Sequence, residues 1–211
     1  MADGITGLNP IRAKQQIEEL NINLSSVQND FVSKTQNFLS SLSELWYSEK
    51  AVEFSNNIIS SLNEADQELK KVTIDIVEDA CGAFNMLADA NGAMRIEVVP
   101  GPFADGEYAS CKDMDPSGNI GMRVDDVNIL TEEFIDELET INNKLQDIPS
   151  NIAFYDQENN LEGTYTAEVN RVKTLIEESI NFIDQKITQA VNEQRESSEQ
   201  ASVDAADIMS S

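Results

Sequence analysis

Trp46-Tyr47-Ser48-Glu49-Lys50-Ala51-Val52-Glu53-Phe54 lies between two long apolar-periodic runs, and its reading decides the fold. Upstream, apolar residues fall at Ile17, Leu20, Leu24, Val27 and Phe31, then at Phe38, Leu42 and Leu45. Downstream they fall at Ala51, Phe54, Ile58, Leu62, Ala65, Leu69, Val72, Ile76, Ala80, Phe84 and Leu87. Steps of three and four put one stripe on one face of a helix. Two such stripes with so short a break predict antiparallel helices joined by a fixed turn. The large ring of Trp46 is expected to plug the end of that hairpin.

Working outward, Asn9 and Pro10 mark the first helix start as cap and first helical residue. Lys34 and Thr35 interrupt the first stripe, so that layer is expected to be thin. Asn91-Gly92 supplies a stop, because glycine adopts the left-handed conformation freely. Residues 93–125 change character. Arg95-Ile96-Glu97-Val98-Val99 reads as a strand and Pro100-Gly101-Pro102 breaks any helix. Tyr108 to Met114 and Ile120 to Val124 flank the turn Asp115-Pro116-Ser117-Gly118. A β insertion of two or three strands is expected there. Helical spacing returns at Val127, Leu130, Phe134, Leu138, Ile141, Leu145 and Ile148 and runs on through Ile152 to Tyr155, with a kink or restart at Pro149. A polar loop from Asp156 to Gly163 precedes a last helix carrying Val169, Val172, Leu175, Ile176, Ile183, Ile187 and Val191. Beyond about Asn192 the composition predicts a frayed helix or mobile tail.

The expected fold is therefore all-α: two antiparallel helical hairpins in an elongated four-helix bundle, with the β insertion between the halves. The boundaries are 1–92, 93–125 and 126–211, the last with a polar C-terminal tail. One hairpin alone has little core, and a second buries its remaining stripes.

Composition narrows the function. Lys+Arg number 14 against 39 Asp+Glu, a net charge of −25. Nucleic acid and anionic membrane, which need clustered cations, are disfavoured partners. A basic protein surface remains a plausible one, although solubility through self-repulsion is the favoured reading of the charge. The 211 residues include no histidine, which removes the commonest general base and metal ligand. Carboxylates are plentiful but spread along helix faces. Ser48 and Ser117 have no base beside them, and no glycine-rich loop opens a helix. No catalytic residue and no cofactor is expected, and the chain reads as a non-enzyme. Its start lacks a basic region followed by an apolar stretch, and no apolar run is long enough to span a membrane.

The stretch Trp46 to Phe54 resembles the turn of the WXG family of type VII secretion substrates, the small early-secreted-antigen-like proteins. In that family a Trp-x-Gly turn joins two antiparallel helices. Trp46, Ala51 and Phe54 match its pattern of Trp, small residue and aromatic. Tyr47 is the spacer, and Ser48 stands where glycine is usual. The resemblance covers roughly residues 5–92, and the second half shares the layout only, with Phe154-Tyr155 in the place of the Trp. It implies a tandem of two hairpins, like a family dimer fused into one chain. It also implies protein–protein recognition through helix faces, with a type VII secretion ATPase or a co-secreted helical protein as partner, and with homodimerisation open. The implied location is outside the cell by a leaderless route, after a cytoplasmic pool. The family's export signal, a Tyr followed four residues on by an acid, is absent. Tyr47, Tyr108, Tyr155 and Tyr165 are followed at that offset by Ala51, Lys112, Asn159 and Val169. The signal is then degenerate or supplied by a partner. A second reading is a cytosolic acidic adaptor or targeting chaperone that holds a secreted toxin's helical region.

Asp113-Met114-Asp115-Pro116-Ser117-Gly118-Asn119-Ile120 looks like the first part of an EF-hand loop, with oxygens at positions one, three and five. Val124 takes the place of the closing bidentate Glu. A hairpin turn with a solvated acidic rim is the favoured reading. Asp113, Asp115 and Ser117 form a weak calcium candidate, the basis of a third reading as a calcium-responsive extracellular module. Cys81 and Cys111 form no CxxC; they would pair in an oxidising exterior, or Cys81 is a small buried apolar residue.

Overall fold

The structure is a computed structural model and describes residues 9–147 and 161–210. Among the described residues the chain is all-α. Its helices are α1 (Pro10–Leu45), α2 (Glu49–Asn91), α3 (Val124–Asp147) and α4 (Leu161–Ser210). Two short strands, β1 (Trp46–Tyr47) and β2 (Gly121–Met122), complete it. Ile148, Pro149, Ile152, Phe154 and Tyr155 lie outside the described residues. The helix expected after the polar loop already includes Leu161 to Gly163, and it runs past Asn192 to Ser210.

The chain divides into two compact units, each drawing a segment from every helix. The first comprises the described residues of Met1–Asp30, Ala65–Ala104 and Ile141–Thr174. The second comprises those of Phe31–Glu64, Asp105–Thr140 and Leu175–Ser211.

In the first unit, α1 starts as its sequence dictates. The Asn9 side chain accepts the Arg12 N–H at 3.1 Å and satisfies one of the amides a helix start leaves unpaired. Ala13, Ile17, Val77, Ala80, Phe84 and Ala88 are buried together, with Ile96 of the following segment on top of them. The helix α2 ends in a Schellman motif. Gly92 has φ 65°, and the Ala93 N–H donates to the Ala88 carbonyl at 2.8 Å. Deeper in the unit, Gln28 Nε2 donates to Asp66 Oδ1 at 2.6 Å, and Lys70 Nζ lies 3.1 Å from Asp66 Oδ2. Tyr165, which carries no stripe position in the sequence reading, is buried and donates to the Leu145 carbonyl at 3.2 Å, near the end of α3. Burial raises its phenol well above the ordinary value.

The strand expected at Arg95–Val99 does not form. Side chains of the helices hold this backbone instead. Asn85 accepts the Ile96 N–H at 2.8 Å and donates to the Ile96 carbonyl at 2.9 Å. Asn21 accepts the Gly101 N–H at 2.9 Å and donates to the Gly101 carbonyl at 2.8 Å and the Val99 carbonyl at 3.2 Å. Gln28 bonds both backbone groups of Ala104 at 3.0 Å, and Asn29 accepts the same N–H at 2.6 Å. An amide side chain presents N–H donors beside a carbonyl acceptor, so it can bond both the C=O and the N–H of one residue, and three of them replace a strand partner.

In the second unit, Phe38 stacks on Phe134 with centroids 4.2 Å apart and rings 8° from parallel. The interrupted layer of α1 is filled rather than thin. Thr35 is fully buried with its Oγ1 unbonded, Val32 and Leu39 are buried on either side of it, and Lys34 reaches Glu137 at 2.6 Å. The helix buries a face wider than one residue, so a gap in the stripe is covered from its flanks. Leu45, Leu130 and Leu175, all stripe positions, are only half-buried. The β insertion reduces to one two-residue strand. Trp46 pairs with Met122 and Tyr47 with Gly121, antiparallel, and Lys112 adds an isolated bridge to Tyr47. The partner of β2 is thus the turn between α1 and α2, not another part of the insertion.

Candidate functional site

The turn residues come together in the second unit. Trp46 is only 4% exposed, and its ring meets Phe54 at 5.6 Å and 37°. Phe54 in turn stacks on Phe182 of α4 at 6.0 Å and 8°. Ala51 is fully buried between these positions in sequence. Aromatic pairs in such geometries contribute about 0.5–1.5 kcal/mol beyond their buried area.

Ser48 has a chemical role that glycine lacks. Its Oγ accepts the Ala51 N–H at 3.0 Å, and its carbonyl accepts the Val52 N–H at 3.1 Å, which makes it the N-cap of α2. The Ser48 N–H donates to the Lys112 carbonyl at 3.1 Å. Arg123 N–H donates to the Leu45 carbonyl at 2.9 Å, satisfying one of the carbonyls left at the end of α1. The turn is therefore held by hydrogen bonds from residues on both sides of the 113–120 loop.

An open cleft of about 200 Å³ lies over these rings. Trp46, Phe54 and Phe182 line it together with Lys50, Lys186 and Glu193. Lys50 and Glu193 form an ion pair, and the hydrogen bond from Lys50 holds the Glu193 carboxyl below its ordinary value. Both side chains are well exposed, so the pair shapes the rim without adding much stability. The cleft offers an apolar floor within a rim of both charges. It holds no nucleophile with a base. Trp46, Ala51 and Phe54 are legible in the sequence, whereas Phe182 stands beside the stripe residue Ile183 and has no signal of its own there.

The acidic loop uses its carboxylate internally. Asp115 Oδ1 accepts the N–H groups of Ser117 and Asn119, both at 2.8 Å, and Oδ2 accepts the Asn119 side-chain amide at 3.0 Å. The bonds from Asn119, backbone first, hold the Asp115 carboxyl below its ordinary value. Gly118, with φ 82°, donates its N–H to the Asp115 carbonyl at 3.0 Å. Asp113 and Ser117 contribute no side-chain oxygen to Asp115. Among the described residues no group of three His, Cys, Asp or Glu is placed to hold a metal ion.

Cys81 and Cys111 are both free and buried, and no disulfide joins them. Cys111 donates its backbone N–H to Ser55 Oγ at 2.9 Å, and burial pushes its thiol up to about 11. Burial also raises the Cys81 thiol, against a smaller opposing effect of the Val98 N–H beside it. Cys81 does face the inserted segment, but through a non-covalent contact.

No protein-family model matches the chain, and neither does any curated protein or any solved structure.

Proposed function

We propose that the chain is a non-enzymatic, WXG-like substrate or component of a type VII secretion system that acts by protein–protein recognition. The observation that carries this reading is the turn itself. Trp46 closes the junction of two long helices and packs on Phe54, and the buried Ala51 lies between them in sequence. Ser48 in the glycine position is accounted for by its capping bond. The cleft over Trp46, Phe54 and Phe182 is the recognition site on this reading: its floor takes an apolar side chain of a helical partner, and Lys50, Lys186 and Glu193 meet that partner's charges. In this role the chain pairs with a co-secreted helical protein or with the secretion ATPase.

The test is export from a host carrying the secretion system. The full-length, uncleaved chain is expected in the culture supernatant, and deletion of the system's ATPase is expected to abolish it. Retention in the cytosol while other substrates of the same system leave would replace this reading with the adaptor or targeting-chaperone one.

A further inference from the structure

Residues 93–104 lie against α1 and α2 and belong to neither strand. Of this stretch only Ile96 and Gly101 are buried. Ile96 sits in one cluster with Ala13 and Ile17 of α1 and with Val77, Ala80, Cys81 and Phe84 of α2. Ala93 and Val98 pack partly against the same cluster. Met94 and Val99 face water, 68% and 75% exposed. The stretch is thus apolar on both sides and inserts a single large side chain.

The hydrogen bonds that hold its backbone to the helices end on side-chain amides. Asn85 holds Ile96, Asn21 holds Val99 and Gly101, and Gln28 and Asn29 hold Ala104. Asn29 also donates to the Pro102 carbonyl at 3.4 Å. None of these amides is part of its helix's own backbone ladder, so α1 and α2 lose no internal bond if the stretch departs. Gln28 would keep Asp66, and water can take the place of the departed backbone at the other amides. The stretch also begins after the Ala93 N–H has closed the end of α2, so lifting it unwinds no helical turn. A segment with few inserted side chains and no ladder opens at lower free energy than the helices under it.

We propose that residues 93–104 are a releasable strap, which leaves α1 and α2 as one piece while both helices stay folded. Its release bares the apolar surface of Ile17, Val77, Ala80, Cys81 and Phe84. Ile96 is the contact that keeps this surface covered, and the four amides fix where along the helices the strap lies. The strap includes no residue of the Trp46 cleft and does not rest on the secretion reading.

Native-state amide exchange of the full chain, followed by nuclear magnetic resonance at low denaturant, tests this. The N–H groups of Ile96, Gly101 and Ala104 are held by different amides, yet they are expected to share one opening free energy. That value is expected to lie below the one for Val77 and Ala80 in α2 and to depend less steeply on denaturant, because little surface is exposed. Asn85→Ala removes bonds to the strap only at Ile96. It is expected to speed exchange at Gly101 and Ala104 as well, by about tenfold, the worth of a lost hydrogen bond. Asn29→Ala, at the opposite end, is expected to carry its effect back to Ile96. Alkylation of Cys81, separated from Cys111 by peptide mapping, is expected to follow the strap's shallow denaturant dependence. Three unrelated opening free energies, or an effect of either variant confined to its own contact, would mean clamps that open one by one and overturns the proposal. Strap amides or a Cys81 thiol that follow the steep dependence of α2 also overturn it, by making release a part of helix unfolding.

Discussion

The stretch 93–104 and the corner at 46–48 both carry non-helical backbone against helices, and they satisfy it by different means. At 93–104 the partners are side chains: Asn85, Asn21 and Gln28 each hold both the N–H and the C=O of one residue, and Asn21 holds the Val99 carbonyl as well. At the corner the partners are mostly other backbone groups, in the pairs Trp46 with Met122 and Tyr47 with Gly121 and in the bonds to Lys112 and Arg123. Buried backbone groups must be paired in either case. Side-chain clamps hold the chain only at chosen residues, and among the described residues the backbone groups of Arg95 and Glu97 between them have no hydrogen-bond partner. Backbone pairing leaves less open, and at the corner it serves to carry a buried aromatic ring.

This contrast predicts unequal sensitivity to substitution. Trp46→Ala removes a ring that is nearly buried and packed at a tilt against Phe54, and is expected to cost about 3 kcal/mol in denaturant unfolding. A loss below about 1 kcal/mol would mean that backbone pairing, not the ring, holds the corner. Asn21→Ala leaves the Gly101 N–H and two carbonyls without their partner, at an expected cost of about 2 kcal/mol. Its exchange signature should be local, with Gly101 N–H opening faster while the amides of β1 and β2 keep their rates. Equal acceleration in both places would erase the distinction between the two modes.

The smallest effect is expected from acid at the 115–119 turn, which leads into β2. The carboxyl of Asp115 is held below its ordinary value, so its contribution is present above the ordinary aspartate range and is lost as pH falls through the lowered value. Amide shifts of Ser117 and Asn119 should therefore titrate together, with a midpoint below that of a free aspartate, and Asp115→Asn should remove the titration. A midpoint at the ordinary value would show that the turn does not depend on its carboxylate.

The helices were legible because apolar spacing over dozens of residues has no competing explanation. Every stripe residue named in α2 from Ala51 to Phe84 is buried, and only Leu87 at its end is half-buried. Buried polar positions such as Ser55, Thr73 and Ser179 were invisible to that reading, since apolar period counts only apolar residues. Thr73 bonds back to the Leu69 carbonyl, and Ser179 meets Ser61, so neither needs an apolar signature to sit inside. The strand expected at Arg95–Val99 failed for another reason. Its β-branched alternation is real, but a strand also needs a neighbour, and the neighbours here are helix amides, Asn85 lying 11 residues from Ile96 and Asn21 lying 78 from Val99. At the candidate site, Trp46, Ala51 and Phe54 lie within one short stretch and could be read together. Phe182, Lys186 and Glu193 belong to a helix more than a hundred residues downstream, and no local pattern assigns them to the same cleft.

The buried contact of Gln28 with Asp66 carries a consequence for how α1 and α2 align. Stripes of Leu, Ile and Val repeating every three or four residues nearly superimpose on themselves after a slide of one heptad, so apolar packing alone chooses poorly between neighbouring alignments. Gln28 is fully buried and Asp66 2% exposed, and only one alignment brings the amide to the carboxylate. Any slide would take the amide donor from a buried carboxylate that keeps only Lys70 of its own helix, a loss of about 1.5–3 kcal/mol. A single polar contact thus works as a detent in an otherwise smooth interface, and it fixes where along one another the two longest stripes of this chain come to rest.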